Sequence, residues 1–173
     1  MSTHSLSATT IDLDGAAAGT TRLHLDGLTS GERGTESVTA HYRGDADATV
    51  ALYVCAAHAA DGGDFAQRVR IGVFERSRDL LPFPVFTGTL ADLAERDRFE
   101  RGVGRWTGRG DGADHEVTYE ITWRAPADAT GLDDRGADLG LVLEARPEPA
   151  PGSGPGDPLG DLPGPAVVGL PGG

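Results

Sequence analysis

Lysine is missing from this chain altogether. All 15 basic residues among its 173 are arginine, set against 27 aspartates and glutamates, for a formal net charge of -12. A surplus of acid argues against nucleic acids and anionic membrane surfaces as partners, because both call for clustered basic side chains. The all-arginine bias, together with abundant Ala, Gly and Asp, reads first as the product of GC-rich coding DNA and second as a halophilic adaptation. Cysteine is nearly absent as well. Cys55 stands alone, so an intrachain disulfide and a cysteine-based zinc site are both excluded. It lies in the apolar run Leu52-Tyr53-Val54-Cys55-Ala56, where a small buried hydrophobe is expected. No stretch approaches the ~18 apolar residues of a membrane-spanning helix. The start, Met-Ser-Thr-His-Ser-Leu-Ser, has neither the basic opening nor the apolar centre of a signal peptide. If Met1 is the natural start, the expected compartment is the cytoplasm.

The signatures of common chemistry are missing too. The chain has no His-Glu-x-x-His pair, phosphate-binding loop, dinucleotide fingerprint or Gly-x-Ser-x-Gly elbow. Five histidines are scattered: His4, His24, His41, His58 and His115. His24 and His41 fall on successive predicted strands, where they could meet across a ladder and bind a metal with a carboxylate; solvated surface histidines are the plainer expectation. Asp111, Asp114, His115 and Glu116 crowd one turn, and Asp133, Asp134 and Asp138 another. Neither has the spacing of a twelve-residue calcium loop, and both read as solvated acidic loops. No catalytic residue, cofactor-binding residue or metal ligand is assigned, and no enzyme is expected.

What the sequence does contain is alternation. In His115–Arg124, Val117, Tyr119, Ile121 and Trp123 alternate with Glu116, Thr118, Glu120, Thr122 and Arg124. A period of two places four large apolar groups on one face of a strand, and a strand wet on one side points to an antiparallel sheet. The same pattern recurs in residues 7–14 (Ile11, Leu13), 20–26 (Leu23, Leu25), 36–43 (Val38, Ala40, Tyr42), 68–76 (Val69, Ile71, Val73) and around Leu139, Leu141 and Leu143. Residues 49–57 form an almost continuous apolar run, the mark of a central, covered strand. Pro82 and Pro84 suggest an edge or a crossing segment. Thr89, with Asp92 three residues on and Leu90 and Leu93 behind it, predicts one capped helix of about two turns. Residues 101–113, Gly-rich around Trp106, read as a loop or frayed strand.

From Pro147 the composition changes: eight of the last 27 residues are proline and eight glycine. Such a segment buries too little to offset its ordering entropy. The predicted organisation is a disordered N-terminus over 1–7, an all-β sandwich over 8–146 with about seven to nine antiparallel strands and one short helix, and a disordered Pro/Gly-rich tail over 147–173. Ala166–Leu170 is its mildly apolar tip.

Several pieces resemble, in order, the TasA/camelysin family of secreted bacterial proteins, whose best-known members are biofilm-matrix fibre subunits. They are Leu28–Glu32 followed by Ser37–Gly44, then Phe86–Leu93, then Val117–Trp123, Ala125–Ala129 and Gly136–Ala145. Ser30 stands where the family's loop has proline, and Gly44-Asp45 replaces its Asn-Gly turn. The resemblance implies a jelly-roll-like sandwich, export to the cell surface or beyond, and homopolymer assembly by strand donation, with an N-terminal strand completing the sheet edge of the next subunit. On that reading the interface residues are Ile11 and Leu13, and the signal peptide and most of the donor strand are missing from this chain. The family's metalloprotease label finds no ligand set here. A monomeric surface-display or binding module is the alternative, with a camelysin-like secreted metalloprotease ranked below it.

Overall fold

The structure is a computed structural model that describes residues 3–15, 17–59, 63–77, 81–128, 130–132 and 135–148. It is an all-β sandwich of two five-stranded sheets. The strands are β1 (Thr3–Leu6), β2 (Thr10–Asp14), β3 (Ala18–Asp26), β4 (Arg33–Arg43), β5 (Ala48–Ala59), β6 (Arg70–Ser77), β7 (Phe83–Thr89), β8 (Val103–Gly108), β9 (His115–Arg124) and β10 (Gly136–Pro147). One sheet runs β1-β3-β10-β5-β8 and the other β2-β4-β9-β6-β7. Except at the β6–β7 hairpin, the chain changes sheet at every connection, so each connection spans the sandwich.

The alternating residues meet between the layers. Leu23, Leu25, Val50, Leu52, Leu139, Leu141 and Leu143 come from the first sheet; Val38, Tyr42, Val73, Val117, Tyr119 and Ile121 come from the second. Helices α1 (Asp64–Arg68) and α2 (Leu90–Ala94) follow β5 and β7, pack together and bury Phe65, Leu90 and Leu93. The expected cap on α2 is present as a reciprocal box: the Asp92 amide donates to Thr89 Oγ1 (3.1 Å) and the Thr89 amide donates to Asp92 Oδ2 (2.8 Å). A 3-10 turn at Phe99–Arg101 contacts β5, and the Arg146 guanidinium lies over the Phe99 ring.

Three expectations need correction, and one open alternative is resolved towards a strand. Residues 3–6 form β1 instead of a disordered end. The Gly-rich stretch around Trp106 forms β8, whose irregular pairing with β5 is accommodated by Gly104 at φ +79. Asp64–Arg68 is a helix, so the strand expected over 68–76 begins later, at Arg70. Cys55 is exposed, not buried. In β5 the inward positions are Ala48, Val50, Leu52 and Val54, so Cys55 has the outward parity; the run of apolar residues hides that alternation in the sequence. The predicted tail beyond Glu148, with Ala166–Leu170, lies outside the described residues.

Candidate functional site at the N-terminal edge

β1 and β2 form a strap along one side of the sandwich. β1 is the edge strand of one sheet, antiparallel to β3, and β2 is the edge strand of the other. β2 runs parallel to β4, from Thr10 beside Thr39 to Asp14 beside Arg43. The chain passes through the opposite sheet as β3 before returning as β4, and two reversals leave β2 and β4 pointing the same way. Alternation alone carries no information about that direction, so the antiparallel expectation fails at this one pair.

Ile11 and Leu13 project inward from the strap and are 6% and 0% exposed. Ile11 reaches across the sandwich onto Gly19 of β3, where a built Cβ would stand 2.2 Å from Ile11 Cγ2. A glycine is what permits that approach. The expected interface residues therefore sit in the core of their own chain.

Thr21, the one buried polar residue among those described, clips the crossover between β1 and β2 to β3. Its hydroxyl donates to the Ala8 carbonyl (2.8 Å) and accepts from the Ala8 amide (3.0 Å). One residue along, the Arg22 amide donates to Ser7 Oγ (2.8 Å) and the Ser7 amide to the Arg22 carbonyl (3.0 Å). Beyond β2, Gly15 turns the chain at φ +66, with no atom within 4 Å of a built Cβ. At the top of β1, the His4 ring lies 4.9 Å from that of Trp123, and Nδ1 is 3.2 Å from Glu36.

The opposite side is built differently. Edge strand β7 carries Pro84 and Phe83, with Leu81 and Pro82 just before it; Leu81 and Phe83 are 89% and 67% exposed. The prolines remove backbone donors and blunt that edge against pairing. The strap side has no such protection beyond the charges of Asp12 and Asp14.

The other candidate residues resolve into pairs. His24 and His41 do not meet, because β3 and β4 belong to different sheets. His24 is 2.8 Å from Asp138, His41 is 3.1 Å from Asp114, and His115 Nε2 is 2.7 Å from Asp111. The His115 hydrogen bond, followed by the Ala113 amide, holds the Asp111 carboxyl below its ordinary value. A cleft of about 280 Å3 next to Thr107 takes in Asp114, His115 and Glu116. Among the described residues no three His, Cys, Asp or Glu side chains converge as metal ligands, and no helix is long and apolar enough to cross a membrane. Asp133 and Asp134 lie outside the described residues. Tyr42 secures the acidic turn by donating its hydroxyl to the Ala46 carbonyl; burial, then Asp47 and Asp45, push its pKa upward.

Comparison with protein-family models gives no match, and none is found among curated proteins. What defines this chain is thus its own architecture: an all-β sandwich closed on one side by its N-terminal strap.

Proposed function

We propose that this protein is a structural subunit, acting at the cell surface or outside the cell, that assembles with copies of itself by exchanging the N-terminal strap. The observation that carries this reading is the placing of β2: an edge strand whose Ile11 and Leu13 fill the core, hinged at Gly15. A strand of this kind can leave its own groove and fill the same groove in a neighbour at little net cost, because the contacts regained are the ones given up. Repeated head-to-tail, such a contact does not close and yields filaments. The resemblance to fibre-forming matrix proteins supports the same mode of assembly. A monomeric surface module is the second reading, favoured by the strap's seat in its own groove.

A disulfide lock tests the exchange. Asp14 and Arg43 are exposed register partners at the hinge end of β2, and neighbouring strands lie about 4.8 Å apart, within disulfide reach. In a Cys55→Ser background, Asp14→Cys with Arg43→Cys is expected to sediment only as monomer when oxidised and to form filaments again on reduction. Filaments from the oxidised protein would sink strand exchange. A wild-type chain that stays monomeric at every concentration would leave the surface-module reading in its place.

A further inference from the structure

Three arginines stand in one row across the outer face of the second sheet. Arg33 of β4 is the register partner of Arg124 of β9, which is in turn the partner of Arg70 of β6. All three are exposed, and none of their side chains makes an ion pair or hydrogen bond among the described residues. This is unexpected twice over. The chain carries a net charge of -12, so acidic partners are abundant, and like charges placed directly opposite on a sheet repel. Asp92, a carboxylate within electrostatic reach of Arg70, is committed to capping α2; its pKa is lowered first by the Thr89 backbone and hydroxyl and only then by Arg70. Asp92 thus acts on the Arg70 end of the row through charge alone, and no carboxylate forms an ion pair with any of the three among the described residues.

The row borders a shallow, open cleft of about 560 Å3 on the sheet face, comparable in volume alone to small-ligand sites. The next row along the sheet is made of hydroxyls: Thr35 and Thr122 are register partners, Thr122 is opposite Gly72, and Gly72 is opposite Thr87. Gly72 leaves the floor open, since a Cβ there would sit 3.0 Å from Thr122 Oγ1 and 3.2 Å from the Phe74 ring. Phe74 is half-buried and lines the same cleft. Guanidinium forks, hydroxyls and an aromatic ring therefore follow one another over about 13 Å of sheet.

We propose that this cleft binds a short acidic saccharide, one bearing carboxylates on successive rings. The guanidiniums bind carboxylate bidentately, the threonines match sugar hydroxyls, and Phe74 offers a surface to a ring face. An acidic peptide fits less well. β9 and β6 are paired on both sides along the cleft, and only residues 33–38 of β4, beyond the reach of β2, have an open side, so a peptide lying across the cleft would find no backbone partners for its own amides. The proposal is independent of strap exchange, because the cleft lies on a sheet face and uses no strap residue.

Isothermal titration with a galacturonic acid hexamer tests it, with a glucose hexamer, hexaglutamate and citrate as comparators. The galacturonate is expected to bind most tightly and to weaken as salt rises. Arg33→Gln, Arg70→Gln and Arg124→Gln are each expected to lower affinity about tenfold, the usual scale for a charged hydrogen bond. Arg124→Lys, which keeps the charge, is expected to lose part of the affinity and serves as the control for folding. No binding of the hexamer at millimolar concentration would overturn the proposal, as would equal binding by the triple Gln variant. Tighter binding of hexaglutamate would overturn it in favour of a peptide site, and tighter binding of citrate in favour of a small polycarboxylate site.

Discussion

Leu13 lies level with Tyr42 on the neighbouring strand, the two strands running parallel and both side chains sealed in the core, at 0% and 1% exposure. An edge strand usually contributes little to a core; this one supplies a fully buried leucine. Leu13→Ala is expected to cost about 2–5 kcal/mol, the transfer of the side chain plus the cavity it leaves. Asp12→Ala, the exposed neighbour, should stay within about 0.5 kcal/mol. Urea unfolding of both variants measures the contrast, and similar midpoints would show that β2 is not seated as described.

Ile11 against Gly19 offers the complementary experiment, in which the strap is pushed instead of hollowed. A methyl added at Gly19 meets Ile11 Cγ2 at 2.2 Å, and a β-branched side chain in a sandwich has little room to turn. Gly19→Ala should cost about 1–3 kcal/mol by overpacking. If strap exchange is the mode of assembly, the same change should speed the conversion of monomer to filament, as followed by light scattering.

Thr21 is the clip on the crossover, and Thr21→Val removes its hydroxyl while keeping its shape. The Ala8 amide and carbonyl then lose their partner, at a cost of about 1–3 kcal/mol. Amide hydrogen exchange is the sharper readout. Ala8 should lose its protection, whereas amides of the central strand β10 should exchange as before.

Tyr53 makes stability depend on alkaline pH. Burial, followed by the hydrogen bond its hydroxyl donates to Glu144 (2.8 Å), pushes its pKa up to about 12 from the ordinary 10.0. The folded state thus holds a proton that the unfolded chain releases. Stability is complete below pH 10 and falls as pH rises from 10.0 to about 12. Urea midpoints across that window should decline in the wild type and decline less in Tyr53→Phe. Tyr42, also shifted upward, sustains the remaining slope.

Thr89→Ala dissolves the capping box of α2 and should cost about 1 kcal/mol. Thr89→Ser, which keeps the hydroxyl, should recover most of it in thermal unfolding.

The strands with strict alternation were plain in the sequence. β9 has the predicted bounds, His115–Arg124, and its four alternating apolar residues are all buried. The cap at Thr89 was equally legible, because the chemistry of a box is local. The strap was half legible. Ile11 and Leu13 could be seen to share a face, but whether that face meets their own core depends on β3 being routed through the other sheet. β8 was legible only as a loop or frayed strand because its pairing rests on Gly104 and an irregular register, which leave no periodic trace. Cys55 misled because Ala51 and Tyr53, on its own face of β5, are also apolar. The arginine row was invisible for a simpler reason: Arg33, Arg70 and Arg124 are far apart in sequence, and only the registers of two strand pairs bring them into line.

The place of β10 at the centre of its sheet, between β3 and β5, has a consequence for how the protein comes into being. Its partners are made early, yet neither touches the other, and the sheet stays split until residues 136–147 have been synthesised. At roughly 5–20 residues per second, a growing chain passes many seconds with its two half-sheets unable to close. Closure of this sheet thereby waits on β10, and until that strand arrives β3 and β5 cannot share a ladder.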